Sequence, residues 1–137
     1  MGKIAEIQNG SGQKAEFIEG KLHQLITFSE GIAEGEIKVF NPNQSLHAIY
    51  SIKDQKKHGE EKIYYNGNSQ IKLCLYWDDD MIQGMVKTWY LSGNPESQRE
   101  FNQNKRHGTS VAWYESGDVM LIEEYDRDLL ITGNYFK

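Results

Sequence analysis

Residues 84–93, GMVKTWYLSG, carry the pattern that decides the fold. The pattern is a glycine, two adjacent aromatic residues that begin five positions later, and a second glycine at the end. Residues 108–117, GTSVAWYESG, repeat it 24 positions further on, and residues 59–67, GEEKIYYNG, show a version one residue shorter. A fixed period of this length predicts a repeat architecture in which each copy folds as one small unit.

Weaker copies extend the period over most of the chain. The repeat glycines, 23 to 25 residues apart, are Gly12, Gly35, Gly59, Gly84, Gly108 and Gly133. The aromatic residues five positions after the first five glycines are Phe17, Phe40, Tyr64, Trp89 and Trp113. The turn residues that follow these rings are Gly20, Asn43, Gly67, Gly93 and Gly117. The further rings, 15 to 17 positions after the glycine, are Phe28, Tyr50, Tyr76, Phe101 and Tyr125.

These registers predict a single repeat domain over residues 1–137. The predicted units are 12–34, 35–58, 59–83, 84–107 and 108–132, followed by a C-terminal cap strand at 133–137. Residues 1–11 precede the first clear unit and are either an added strand or a loose end. The first two units are the weaker copies, because they lack the paired aromatic residues.

Each unit has the pattern of a β-hairpin. The tripeptides ending in Gly67, Gly93 and Gly117 are typical of tight turns, because glycine accepts the positive φ that such turns require. We expect the first strand to begin at the repeat glycine. Residues 71–78, IKLCLYWD, alternate with the period of two of a strand with one buried face. We therefore predict an all-β fold: an elongated, single-layer antiparallel sheet of tandem hairpins, with about eleven strands over roughly 50 Å.

Composition and cysteine usage limit the class of protein. The single cysteine, Cys74, excludes an internal disulfide and is typical of a reducing compartment. No stretch approaches 18 apolar residues, and the first ten residues lack the apolar core of a signal peptide. We therefore expect a cytoplasmic protein that does not associate with a membrane.

The histidines and the cysteine do not form a known catalytic or metal-binding pattern. His58 and His107 each stand directly before a repeat glycine, where a structural role in a turn is expected. No spacing of cysteine, histidine and carboxylate residues matches a zinc site. Cys74 alternates with apolar residues on its strand, so we expect a packed thiol and not a nucleophile.

The acidic residues also lack the arrangement of an active site. Asp78-Asp79-Asp80 has neither the glycine nor the distal glutamate of a calcium loop, and Asn102-Gln103-Asn104 occupies the same turn one unit later. Glu123 and Glu124 are neighbours on a strand and should point to opposite faces, which is unsuitable for an acid–base pair. We predict that the protein is not an enzyme and has no catalytic residues, no metal and no cofactor.

Charge is distributed unevenly along the chain. Residues 1–58 carry seven Lys/Arg and seven Asp/Glu, whereas residues 59–137 carry eight and thirteen, which accounts for the net charge of −5. An acidic half disfavours direct binding to nucleic acid or to anionic membranes and favours a basic protein partner. Solubility is the alternative reason for the same charge.

The paired aromatic residues, followed by Asn-Gly or Ser-Gly and then by Lys-Lys-His-Gly at 56–59 or Lys-Arg-His-Gly at 105–108, resemble the bacterial variant of the MORN repeat. The resemblance covers residues 35–137 well and 12–34 loosely. Proteins built almost entirely of this repeat are described as YwqK-type antitoxins, and others resemble immunity proteins paired with secreted toxins. The chain lacks the regular Tyr-x-Gly-x-Trp core of the eukaryotic repeat, and we do not expect it to bind lipid.

The resemblance implies an immunity protein or antitoxin that binds a cognate bacterial toxin and occludes its active face. The alternative is a MORN-type scaffold or adaptor without a toxin partner. The acidic residues of units three to five, and the second ring of each aromatic pair, are the candidates for partner binding. They are Tyr65, Asp78, Asp79, Asp80, Tyr90, Tyr114, Glu123, Glu124, Asp126 and Asp128.

Overall fold

A computed structural model describes residues 11–137 as one open antiparallel sheet, which confirms the predicted all-β, single-layer fold. Residues 1–10, and with them most of the predicted added strand or loose end, lie outside the described residues. The strands are β1 (Gly12–Ile18), β2 (Lys21–Ser29), β3 (Ile32–Phe40), β4 (Leu46–Lys53), β5 (Lys56–Lys57), β6 (Gly59–Tyr64), β7 (Ile71–Asp78), β8 (Met81–Ile82), β9 (Gly84–Trp89), β10 (Pro95–Asn102), β11 (Lys105–Trp113), β12 (Val119–Asp126) and β13 (Leu129–Tyr135).

Strands that are adjacent in the sequence are adjacent in the sheet. The sheet runs from β1 to β13 through eleven strands, and the short β5 and β8 pair with β4 and β7 beside this path. Each strand therefore contacts its sequence neighbours, as expected for a repeat array stabilised by nearest-neighbour contacts. The fragment 133–137 belongs largely to β13, which begins at Leu129 and pairs with β12.

The turns divide the sheet into two edges of different character. The two-residue turns at 30–31, 54–55, 79–80, 103–104 and 127–128 form what we call the tight-turn edge. Both residues of each of these turns have positive φ, which defines the type I′ turn that matches the twist of a hairpin. The opposite, broad-turn edge holds the turns at 41–45, 65–70, 90–94 and 114–118, and the short turn at 19–20.

The expectation that strands begin at the repeat glycines holds at some positions and fails at others. Strands β1, β6 and β9 begin at Gly12, Gly59 and Gly84, whereas the other repeat glycines lie within strands. Strand β3 starts at Ile32 and passes through Gly35, and β11 starts at Lys105 and passes through Gly108. Gly35 and Gly108 have φ of 92° and 94°, and each lies opposite a break in the pairing register. The glycine is needed because a bulge with positive φ disfavours residues that carry a Cβ.

The register also corrects two positions of the predicted repeat. Phe28, Phe101 and Tyr125 lie two positions before a tight turn, and the equivalent residues of units two and three are Ile52 and Trp77, not Tyr50 and Tyr76. Tyr76 is adjacent to Trp77 and therefore points to the other face, where it is 47% exposed. The predicted spacing of 15 to 17 residues after the repeat glycine was too loose to decide between the adjacent Tyr76 and Trp77.

A smaller correction concerns the broad turn of unit two. Asn43 was expected to replace the turn glycine, but the positive φ, 72°, falls on Gln44. In the later units Gly67, Gly93 and Gly117 do have the predicted positive φ. The turn therefore keeps its shape in unit two although the glycine is missing.

The two faces of the sheet differ in burial. Cross-strand partners share a face. Following the pairings from β3 to β12 places on one face, which we call the core face, the buried residues Ile37, Ala48, Glu61, Leu75, Ser97, Ser110 and Ala112. The other, lysine face carries a central row that includes Lys38, Lys62 and Lys87. The aromatic side chains of the core face, such as Trp77, Phe101 and Tyr125, are only half-buried, because within residues 11–137 no second layer covers them.

Candidate binding surface

A stripe of mostly apolar and aromatic side chains runs along the tight-turn edge on the core face. It consists of the residues two positions before each turn and their cross-strand partners after it. In units three to five these are Trp77, Ile82, Phe101, Arg106, Tyr125 and Leu130, which we call the edge stripe. The first five are half-buried and Leu130 is exposed, so an approaching surface can contact all six.

At one end of the edge stripe a buried carboxylate holds Trp77 in place. Glu61, only 7% exposed, accepts a hydrogen bond from Trp77 Nε1 at 2.7 Å and pairs with Lys57 Nζ at 3.1 Å. The Lys57 ammonium also lies 4.6 Å from the Tyr50 ring centroid and 4.9 Å from the Trp77 centroid. A charge buried this deeply requires a partner, and Lys57 and the indole together supply it. The tryptophan is therefore held in a fixed orientation.

At the other end a chain of hydrogen bonds orders two tyrosines. Arg106 Nη1 donates to the Tyr125 hydroxyl at 3.0 Å, and this hydroxyl donates to Glu123 Oε1 at 3.1 Å. The second oxygen of Glu123 accepts from the Tyr135 hydroxyl at 2.7 Å, and this bond raises the pKa of Tyr135. The arginine side chain packs over the Tyr125 ring, 5.1 Å from its centroid. A cation thus lies against an aromatic ring at both ends of the stripe.

Two of the predicted acidic residues also stabilise the array. Asp80 Oδ1 accepts from the backbone N–H of Lys57 at 2.7 Å, and its own N–H donates to the Lys57 carbonyl at 3.0 Å. Asp128 makes the same pair with Arg106, at 2.7 and 2.8 Å. Asn104 makes it with Ile82, at 2.7 and 2.9 Å. In the turns at 79–80, 103–104 and 127–128 the second turn residue therefore ties the turn to the preceding hairpin, and an asparagine does this as well as an aspartate.

The remaining acidic candidates divide between the tight-turn edge and the two faces. Asp78 and Asp79 are exposed at the edge, and Asp126 lies there with its Oδ1 3.4 Å from His107 Nδ1. Glu123 lies on the core face in the tyrosine chain, whereas Glu124 accepts a hydrogen bond from Thr109 Oγ1 at 2.6 Å. Their different neighbours confirm that these two glutamates point to opposite faces.

The three predicted tyrosines lie at the opposite, broad-turn edge. The Tyr65 hydroxyl donates to the Trp89 carbonyl at 2.7 Å. Tyr90 donates in the same way to Trp113 at 2.6 Å, and Tyr114 to Phe136 at 2.7 Å. Each hydroxyl therefore joins one unit to the next, and partial burial raises the pKa of Tyr65 and Tyr90. The structure separates these tyrosines from the aspartates by the full length of the strands.

Sequence reasoning did not identify Trp77 or Arg106 as members of a site. A signal was present, because Phe28, Ile52, Trp77, Phe101 and Tyr125 follow one another at 24 or 25 residues. The spacing was hidden by the adjacent Tyr76.

Cys74 lies on the lysine face between Lys62 and Lys87. Its burial, and to a smaller extent the nearby Glu60 carboxylate, raises the pKa of the thiol, as expected for a packed cysteine.

No family model matches the chain, and no curated protein matches it. Within residues 11–137 no helix is long and apolar enough to cross a membrane.

Proposed function

We propose that this protein is a cytoplasmic immunity protein or antitoxin that binds a cognate bacterial toxin and covers its active face. The observation that carries the binding part is the edge stripe, where half-buried aromatic residues and an arginine lie beside a row of acidic turns. The resemblance of units two to five to the bacterial MORN repeat supports the toxin as the partner. A generic MORN-type scaffold or adaptor is the second candidate, favoured by the many side chains that serve only to join one unit to the next.

The edge stripe has the residue types that dominate binding energy in protein interfaces. Tryptophan, tyrosine and arginine contribute most when they enter a dry contact, and Trp77, Arg106 and Tyr125 are already held by neighbouring side chains. Because these side chains are ordered before binding, less entropy is lost when a partner covers them. A flat sheet surface of this kind suits a broad contact that extends over several hairpins.

The charges of the tight-turn edge indicate the kind of partner. Along this edge in units three to five the five aspartates outnumber the three basic residues: Asp78, Asp79, Asp80, Asp126 and Asp128 against Lys105, Arg106 and Arg127. Such a surface attracts a basic protein and raises its association rate. It repels nucleic acid and anionic membranes, so neither is part of the proposal, and the proposed role requires no catalysis.

The test begins with the partner, which is captured by co-purification. If the partner is a toxin, it should arrest growth when expressed alone, and co-expression of this protein should restore growth. A captured partner that does not affect growth would contradict the immunity role and favour the scaffold.

The placement of the contact is tested with matched charge variants of unit five. The first variant combines Asp126→Asn and Asp128→Asn at the tight-turn edge, where unit four already has Asn102 and Asn104. The control combines Glu115→Gln and Asp118→Asn at the broad-turn edge, which removes the same charge. We expect the association rate to fall several-fold at low salt in the first variant only, and the difference to shrink at high salt. An equal effect in both variants would contradict this placement.

A further inference from the structure

One side-chain nitrogen at the tight-turn edge is buried without a hydrogen-bond partner. Among the described residues, only His58 Nδ1 and Ser110 Oγ are in this position. A buried polar atom without a partner is costly, and an ion or a water is a common reason for one in a native protein. The His58 ring itself remains partly open to solvent, with 35% of the side chain exposed.

Two carboxylates from the following hairpin face this nitrogen. Asp78 Oδ1 and Asp79 Oδ1 each lie 4.0 Å from His58 Nδ1. The three potential ligand atoms all lie within 4.8 Å of one another. They come together because His58 precedes the repeat glycine between β5 and β6, while Asp78 ends the neighbouring strand β7 and Asp79 opens its turn.

We propose that His58, Asp78 and Asp79 form a binding site for a divalent transition-metal ion of the zinc type. One imidazole nitrogen and two carboxylate oxygens suit zinc, whereas calcium and magnesium prefer oxygen ligands alone. Tetrahedral bonds of about 2.0–2.2 Å place ligand atoms roughly 3.3–3.6 Å apart, so each carboxylate moves inward by less than about 1 Å. Both aspartate side chains are about 60% exposed and are free to rotate by this amount. A water molecule completes the coordination.

The chain contains its own incomplete copies of this site. In unit five His107 Nδ1 lies 3.4 Å from Asp126 Oδ1, but Arg127 replaces the second aspartate and lies 3.3 Å from the same oxygen. The Arg127 guanidinium therefore supplies the positive charge beside Asp126 that a metal ion would supply in unit three. In unit four Gln83 replaces the histidine, and Asn102 and Gln103 replace the two aspartates. Within residues 11–137, only the copy in unit three brings three such ligands together.

A bound ion would fasten the turn after β7 to the bulge of the preceding hairpin. The ion would reinforce the hydrogen bonds between Asp80 and Lys57 in the same turn. It would also fix the end of β7 directly after Trp77. The ion would also offset part of the negative charge of this edge. This site goes beyond the proposed partner binding and revises the sequence-based expectation that no metal is present.

The test uses tag-free, chelator-treated protein titrated with Zn²⁺ by calorimetry and with Co²⁺ by visible absorption. We expect one ion per chain, a Co²⁺ spectrum with nitrogen and oxygen ligands, and a rise in Tm when Zn²⁺ is added. His58→Gln, which copies unit four, and Asp79→Arg, which copies unit five, should each weaken binding at least tenfold. His107→Gln is the matched control and should leave the stoichiometry and the affinity unchanged.

Circular dichroism of each variant in chelator checks that the fold is retained, since both substitutions place residues that the chain already uses at these positions. Absence of saturable binding, equal binding by the His58→Gln variant, or loss of binding in the His107→Gln variant would overturn the proposal. Each of these results leaves the proposed partner binding intact, because that binding is tested with charge variants of unit five, outside the metal site.

Discussion

Units one and two and units three to five share the order of antiparallel hairpins but join their neighbours with different side chains. In the later units the hydroxyl of Tyr65, Tyr90 or Tyr114 donates to a carbonyl of the following strand region. Between units one and two the tie is different: Gln44, in the broad turn of unit two, makes two hydrogen bonds to the backbone of Leu22 in unit one, at 3.1 and 3.2 Å. The comparison shows that the turn geometry requires a tie between units but not a particular residue.

The two kinds of tie differ in their surroundings. The bonds of Tyr65 and Tyr90 are partly buried, whereas those of Gln44 are exposed to solvent. A hydrogen bond shielded from water contributes more to stability than an exposed one, because its loss leaves a buried group without a partner. We therefore expect units three to five to be the more stable part of the array.

The largest expected effect comes from removing an aromatic ring at equivalent positions of the two regions. Trp113→Ala should lower the free energy of unfolding by about 2–3 kcal/mol, less than the roughly 3–5 kcal/mol of a fully buried ring, because Trp113 is half-buried. Phe17→Ala at the same position of unit one should cost less, since the ring is smaller and its unit weaker. Urea unfolding followed by far-ultraviolet circular dichroism measures both. An equal or larger loss for Phe17→Ala would contradict the stability difference.

A smaller effect is expected when the ties themselves are removed. Tyr90→Phe keeps the ring but leaves the Trp113 carbonyl without its donor, and should cost about 0.5–1.5 kcal/mol. Gln44→Ala removes an exposed tie and should cost less than about 0.5 kcal/mol. Chemical denaturation of both variants measures the two losses in the free energy of unfolding. If the glutamine variant proves the more damaging of the two, the tyrosines are not the stronger ties.

The sequence predicted the architecture well because the repeat glycines, rings and turns recur together. The period was enough to predict eleven strands in hairpin order, and the alternation over residues 71–78 was enough to place Leu75 in the core. The predicted strand start is correct for β1, β6 and β9 but wrong for β3 and β11, because a glycine with positive φ marks a bulge within a strand as readily as a turn. The register was also one residue off in unit three, so that Tyr76 was predicted at the position that Trp77 occupies.

The candidate site was harder to predict from sequence, since its parts come from different hairpins. Composition identified the acidic half of the chain, but it did not show that Asp80 and Asp128 bond to backbone groups. The paired aromatic residues form a clear pattern in the sequence, but the pattern does not show that the hydroxyl of each second ring bonds to the next unit. The meeting of His58 with Asp78 and Asp79 likewise depends on the pairing of β6 with β7.

The most direct test of the proposed binding surface is hydrogen–deuterium exchange of the protein alone and in complex with its captured partner. Binding across the edge stripe should slow exchange at the turns 79–80, 103–104 and 127–128 and in the strand ends beside them, over several hairpins at once. The turns at 65–70, 90–94 and 114–118 on the opposite edge should exchange as before. Protection confined to residues 12–58, or to the broad-turn edge, would contradict the account.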